Sequence, residues 1–243
     1  VQGVGKTVVA TNVAAALAER CSEPVCLADV DLQYGDVAVA LGVPPEHSIV
    51  DAAGAAGRDD PGVVRELMTR HRSGLLVLPG PREPMMGLAL DPAEVEALCT
   101  DLRTIAAVTV VDVPSVFDDA TFAVLDAADE ILLVASMDIP SIKNLKVGLQ
   151  AFDLVGLAGP KLRLVLNRAT AQVKLDPREV ERVLGIPVAF PVPYDVAVPV
   201  ALNAGESVIT HAPRSAAARA FGHIAESVLG DVGAAGPGSR RRR

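Results

Sequence analysis

Aromatic side chains are scarce: the 243 residues include no Trp, five Phe and two Tyr. Ala, Val and Leu must therefore build the core, which fits a packed α/β domain and not an aromatic-rich binding module. Cysteine is nearly as rare. Cys21, Cys26 and Cys99 are odd in number and show no C-x-x-C spacing, so they read as small buried residues in a reducing cytoplasm. His47, His71, His211 and His223 are scattered without ligand spacing, which argues against a His/Cys metal centre. No uncharged apolar run approaches the length of a membrane span, and no signal-peptide pattern is present.

Positive charge is also short. Of 22 basic residues, four are the terminal Arg240, Arg241, Arg242 and Arg243, so residues 1–239 carry 18 basic against 30 acidic side chains. An acidic body argues against strong non-specific nucleic-acid binding, which needs clustered Lys and Arg to displace counterions.

What is present is an alternation. The runs "PVCLADVD", "GLLVLPG", "AAVTVVDVPS", "EILLVASMD", "LRLVLNRA" and "PVAFPVPYD" are short, apolar and followed by polar or turn-forming residues, the pattern of buried strands. Helices are expected between and around them, over Thr7–Arg20, Asp91–Ile105 (Asp91 capping, Pro92 first), Ser141–Leu154, Pro177–Leu184 and Arg214–Leu229. This order predicts one α/β domain over residues 1–230, a doubly wound, mostly parallel sheet with helices on both faces. A Gly/Pro/Arg tail over 231–243 is expected to be disordered. In such sheets ligands bind beyond the carboxyl ends of the strands.

The first element carries chemistry. Gly3-Val4-Gly5-Lys6-Thr7 is the closing half of G-x-x-x-x-G-K-[ST]. The first Gly of that pattern, and the strand that feeds such a loop, are expected before Val1. Glycines let consecutive N–H groups turn inward around phosphate oxygens, and the helix that follows adds its positive end. Lys6 brings a full charge to the β and γ phosphates, and Thr7 a hydroxyl ligand for Mg2+. Asp29 and Asp31 close the next strand, where they are expected to point apart, one toward the Mg2+ shell and one toward a water near the γ-phosphate. Asp112 closes a later strand and suits an acid that holds Mg2+ through its waters. A phosphate loop, an acid pair and a later strand-end acid, in that order, point to a Mg–nucleotide site. A ligand-free Gly-rich turn and solvated turn acids remain the plainer alternatives.

Residues 3–7, "DVDLQYGDVAVALG" (29–42), "VVDVPS" (110–115), "ADEILLVASMDIPSIKNLK" (128–146), "LVLNRA" (164–169) and "PVPYDVAVPVALNAGESV" (191–208) together resemble the deviant Walker-A ATPases that include ParA and MinD. The DLQYGDVAVALG and DIPSIKN stretches are most similar to the CpaE-like branch, which helps place the Tad/Flp pilus secretion machine. The resemblance implies a P-loop ATPase fold whose first strand lies outside this chain, ATP and Mg2+ as cofactors, and an ATP-dependent homodimer. It implies protein partners in a pilus, secretion or positioning complex, and a cytoplasmic protein recruited to a membrane-associated complex or cell pole. Residue by residue, it implies that Lys6 and Asp31 are catalytic, Asp31 orienting the attacking water. Thr7, Asp29 and Asp112 would serve the metal. Gly3, Val4, Gly5, Lys6, Thr7 and Val8 would hold phosphate. Asn167 and Arg168 would lie at the adenine, with Pro193, Tyr194 and Asp195 walling it. An amide offers the donor and acceptor that an adenine edge requires. Asn167 also fits an ordinary turn, and Asp195 an ordinary helix cap.

The chain departs from the family pattern at Val1, where a signature Lys is usual, at Gln2, where Gly is usual, and at DVPS, where D-x-P-P is commoner. The absent Lys leaves open a nucleotide-binding scaffold with little hydrolysis. A DNA-partitioning ATPase would need a basic closing helix, and only Arg214 and Arg219 serve there. No cluster-ligating Cys follows Asp112 and the tail has no Tyr, which disfavours iron–sulfur and tyrosine-kinase relatives. Gly and Pro interrupt "GDVGAAGPGSRRRR", so membrane attachment would be indirect.

Overall fold

The computed structural model describes residues 3–33, 35–58, 60–81, 83, 90–116, 118–157, 159–169 and 175–234. Helix α1 (Lys6–Arg20) leads into strand β1 (Val25–Asp29). Three short helices follow: α2 (Val37–Ala40), α3 (Ile49–Ala55) and α4 (Gly62–Glu66). Then come β2 (Thr69–Arg70), β3 (Leu76–Leu78), α5 (Pro92–Ile105), β4 (Val108–Asp112) and α6 (Asp119–Ala127). The second half runs β5 (Ile131–Ser136), α7 (Ile139–Leu154), β6 (Leu162–Asn167), α8 (Pro177–Leu184), β7 (Val188–Val192), α9 (Ala197–Asn203), α10 (Val208–His211) and α11 (Ala216–Ala234).

Among the described residues the strands form two groups, β2-β3-β1-β4 and β5-β6-β7. Every pairing is parallel except β2 with β3, so the doubly wound, mostly parallel sheet expected from the sequence is what forms. The antiparallel edge strand β2 was not expected. It is two residues long and carries no apolar alternation.

Local chemistry explains the helix boundaries. Asp91 accepts from the Ala93 N–H at 2.8 Å, and its own N–H donates to Glu94, closing a capping box ahead of Pro92. Asp176 accepts from the Arg178 N–H at 2.9 Å, and Gly185 ends α8 at φ 76°. Asp138 caps α7 by accepting from the Ser141 N–H, so that helix begins at Ile139 with Pro140 inside its first turn, where proline costs nothing. The closing helix starts at Ala216 and continues through Ala234, into the segment read as tail; residues 235–243 lie outside the described residues.

Alternation along the strands fills both faces. Val25 and Leu27 of β1 join Val77, Val108, Val165 and Val192 beneath α1 and α11. Cys26 and Ala28 point the other way, onto Leu76, Leu78, Ile49, Leu98 and Leu102. A further cluster packs β5 and β6 against α7 and α8 through Leu133, Leu164, Leu166, Ile142, Phe152 and Val180. The α1/α11 core takes in strands of both groups, Val108 from β4 and Val165 from β6. It therefore spans the seam between β4 and β5.

Candidate functional site

The opening loop sits across that seam. Thr7 Oγ1 donates to Asp112 Oδ2 at the end of β4 (2.5 Å), and Asn167 Nδ2 at the end of β6 donates to the Val4 carbonyl (2.8 Å). Gly5 precedes α1 in the left-handed region at φ 91°, where a Cβ would also lie 2.5 Å from Asn167 Nδ2. Only glycine fits both conditions. Val4 is buried and Val8 packs partly buried against the α1 core. Gly3 also has a positive φ, 79°. Residues 3–7 thus form a glycine-bent turn opening directly into a 15-residue helix, the geometry that turns N–H groups toward an anion.

Lys6 Nζ donates to Ser115 Oγ at 2.9 Å. The Thr7 proton is committed to Asp112, which leaves the lone pairs of that hydroxyl for a cation. Asp112 and Asp29 are partners in the parallel β1–β4 register, and both are buried. Burial pushes the Asp29 carboxyl up to about 7, helped by the charge of Asp112, against the pull of backbone donors Val37 and Asp31. Burial raises Asp112 to about 6, opposed by the Thr7 hydrogen bond and the Lys6 charge. Two adjoining buried carboxyls beside one Lys make a site short of positive charge.

Asp29 and Asp31 differ in burial: Asp29 is buried and Asp31 only partly so. Alternate residues of a regular strand share a face, and here β1 ends at Asp29. The chain then turns so that the Asp31 N–H donates to Asp29 Oδ1 at 3.0 Å, while Asp29 Oδ2 accepts from the Val37 N–H at 3.1 Å. Asp29 therefore organises the loop from 31 to 37. A Cβ on Gly35 would lie 2.7 Å from Asp29 Oδ2 and 3.0 Å from the Gly80 Cα, so two glycines close over this carboxyl. Asp31 is partly exposed, with Oδ1 accepting from the Gln33 N–H.

Among the described residues no group of three or more His, Cys, Asp or Glu is arranged to hold an ion alone. That suits Mg2+, which usually takes one or two protein oxygens and completes its shell with phosphate and water. The Thr7 hydroxyl and the two buried carboxyls fit such an ion in chemistry and in sign.

Across the seam, Asn167 Oδ1 accepts from the Arg168 N–H at 3.0 Å, and Arg168 is the one non-glycine with positive φ (57°) among the described residues. One amide proton and one lone pair of Asn167 remain for a base edge. The Ala169 N–H donates to the Val192 carbonyl at 2.9 Å, which sets Pro193 and Tyr194 beside Arg168. Tyr194 is 58% exposed. Asp195 does something else: it accepts from the N–H groups of Ala197 (3.0 Å) and Ala217 (3.2 Å), joining α9 to α11, and these bonds hold its carboxyl below the usual range. These bonds fit the capping role that the sequence also allowed.

The structure adds residues that sequence reasoning missed. Buried Asn12 donates to the Val8 carbonyl and accepts from the Val208 N–H at 2.6 Å, fixing α10 against α1. An Asn inside the Ala-rich "TNVAAALA" was its only signal. Ser115 is the other. Val1 and Gln2, the places of the departures noted above, lie outside the described residues.

Comparison with known proteins agrees with this geometry. The profile of the CobQ/CobB/MinD/ParA nucleotide binding domain family matches residues 2–208. The antiactivator FleN of Pseudomonas aeruginosa is 28% identical over 242 residues, spanning 93% of this chain and 82% of that protein. A ParA family ATPase from Chlorobium tepidum superposes with a TM-score of 0.84 at 24% identity, covering 92% of this chain and 94% of the other. The septum site-determining protein MinD of Pyrococcus horikoshii, solved with Mg-ADP, gives 0.80 at 23%, over 98% and 96%.

Proposed function

The chain belongs to the CobQ/CobB/MinD/ParA nucleotide binding domain family, and from that premise we propose that it is a Mg-ATP-dependent switch that dimerises on ATP and is released by hydrolysis. One observation carries the reading. Lys6 and Thr7, at the start of α1, meet Ser115 and Asp112 at the end of β4, so cation, hydroxyl, carboxyl and helix terminus converge on one point. When bound, Mg2+ would neutralise charge on the phosphate oxygens. Thr7 would hold it directly, with Asp112 and Asp29 acting through its waters. Lys6 balances charge on the transferred phosphoryl group. Asp31, the less buried member of the pair, orients the attacking water. Asn167 and the Pro193–Tyr194 turn flank the base.

Dimerisation is supported by where apolar surface lies. Val39 (73% exposed), Val116, Ile139 (71%), Tyr194 and Val196 (65%) all follow the carboxyl ends of β1, β4, β5 and β7. Exposed apolar residues on this edge suit an interaction face, while Leu154 (88% exposed) and Val155 lie apart from it, at the far end of α7. The finer reading, placement of a pilus or secretion machine through protein partners, rests on the resemblance of 31–42 and 138–144 to the CpaE-like branch. MinD- or ParA-type placement, or a weakly hydrolysing scaffold, are the competing readings. Arg219 Nη1 donates to the Arg214 carbonyl, and the acidic body offers duplex DNA little else. Among the described residues no helix is long and apolar enough to cross a membrane.

Phosphate release and light scattering with Mg-ATP test the proposal together. Release well above a Lys6→Ala control, with ATP-dependent growth in mass, supports the switch. Tight binding without release supports the scaffold. A shift of duplex DNA at low salt by ATP-loaded protein supports partitioning.

A further inference from the structure

Ser115 stands three residues beyond Asp112 in "DVPS", and its side chain meets the Lys6 ammonium at 2.9 Å. A serine hydroxyl has one proton and two lone pairs. By accepting from Lys6 it keeps its own proton for another acceptor, and an anion held beside that ammonium would lie within its reach. Pro114 fixes the backbone just before it. Asp118, three residues further on, caps α6 by accepting from the Thr121 N–H at 2.8 Å. Ser115 therefore stands between the end of β4 and the cap of α6, and it is exposed.

From this geometry we propose that Ser115 is a specificity-determining contact: its hydroxyl donates to the terminal phosphate beside Lys6 and so distinguishes a nucleoside triphosphate from a diphosphate. The assignment rests on the phosphate-site reading above. A diphosphate leaves the Ser115 proton without its acceptor, so Ser115 is held one way with the terminal phosphate and another without it. Hydrogen bonds to charged groups are the strong class, and loss of one is expected to cost about tenfold in affinity.

Calorimetry of the full chain with Mg-ATP and Mg-ADP tests this, using Ser115→Ala and Ser115→Thr. In Ser115→Ala, ATP affinity should fall about tenfold while ADP affinity stays unchanged. Ser115→Thr, which keeps the hydroxyl, should restore the ratio. An unaltered ATP-to-ADP ratio in Ser115→Ala, or equal loss of both nucleotides, overturns the Ser115 assignment alone. Failure of the unmodified chain to bind either nucleotide overturns the phosphate-site reading and the Ser115 assignment with it.

Discussion

The strand group β2-β3-β1-β4 and the group β5-β6-β7 meet the same edge of the sheet with different chemistry. The first ends in carboxyls, Asp29 and Asp112, buried and in register with each other. The second ends in neutral polar groups. Ser136 donates its N–H to Ser141 and its hydroxyl to Asp138, and Asn167 spans from the Val4 carbonyl to the Arg168 N–H. The neutral side is hydrogen-bonded within the chain. The acidic side is not balanced: burial holds both carboxyls above their ordinary range, with only Lys6 and hydrogen bonds such as that from Thr7 in opposition. In the proposed reading a magnesium-bound polyphosphate would bring a cation to this side, and the neutral side would flank the base. The contrast teaches that polar groups at a sheet edge need not be equivalent. On one side burial raises two carboxyls above their ordinary range, and on the other the polar groups are already bonded within the chain, with part of the Asn167 amide left over.

The contrast can be broken most severely at Lys6. Lys6→Ala should lower ATP hydrolysis by about a hundredfold or more, read as phosphate release, because charge stabilisation is the main contribution in phosphoryl transfer. The acidic side should next show itself in the pH dependence of folding. Both folded values lie above the ordinary 3.8, so the folded chain holds these protons more tightly than the unfolded one. Their contribution is fully present below about pH 4 and is lost as pH rises through about 6 and 7. A tenfold difference in proton affinity is worth about 1.4 kcal/mol, so unliganded protein should lose a few kcal/mol across that window in urea melts. Asp112→Asn should flatten the loss, and Mg-ATP should abolish it.

Smaller effects belong to the neutral side. Asn167→Ala should cut discrimination between ATP and GTP by about tenfold, measured by competition. Equal loss of both nucleotides would make Asn167 only a strap for the loop. Asp195→Ala should cost about 1 kcal/mol of stability through the lost cap, seen as a lower Tm, with nucleotide affinity unchanged. Weaker binding instead would return Asp195 to the base pocket.

How legible these two sides were in the sequence follows from the range of the interactions. The strands, their acidic or amide ends, and the cap Asp91 are local patterns, and the structure has them at the expected positions. The short helices α2, α3 and α4 have too few turns for a period to show. Asn12 with Val208 and Asn167 with Val4 join residues 196 and 163 positions apart, and nothing in either neighbourhood announces its partner. Ser115 looked like a minor departure from a motif until Lys6 stood beside it. The loop that Asp29 organises depends on Gly35 meeting Gly80, a contact that no local pattern encodes.

Calorimetric titration of ATP into the full chain, with Mg2+ and then with Mg2+ chelated, compared with Thr7→Val, tests the central claim most directly. Tight binding with Mg2+, at least about tenfold weaker binding without it, and no such difference in Thr7→Val are expected. Equal affinity with and without the metal, or no heat at all, would contradict it.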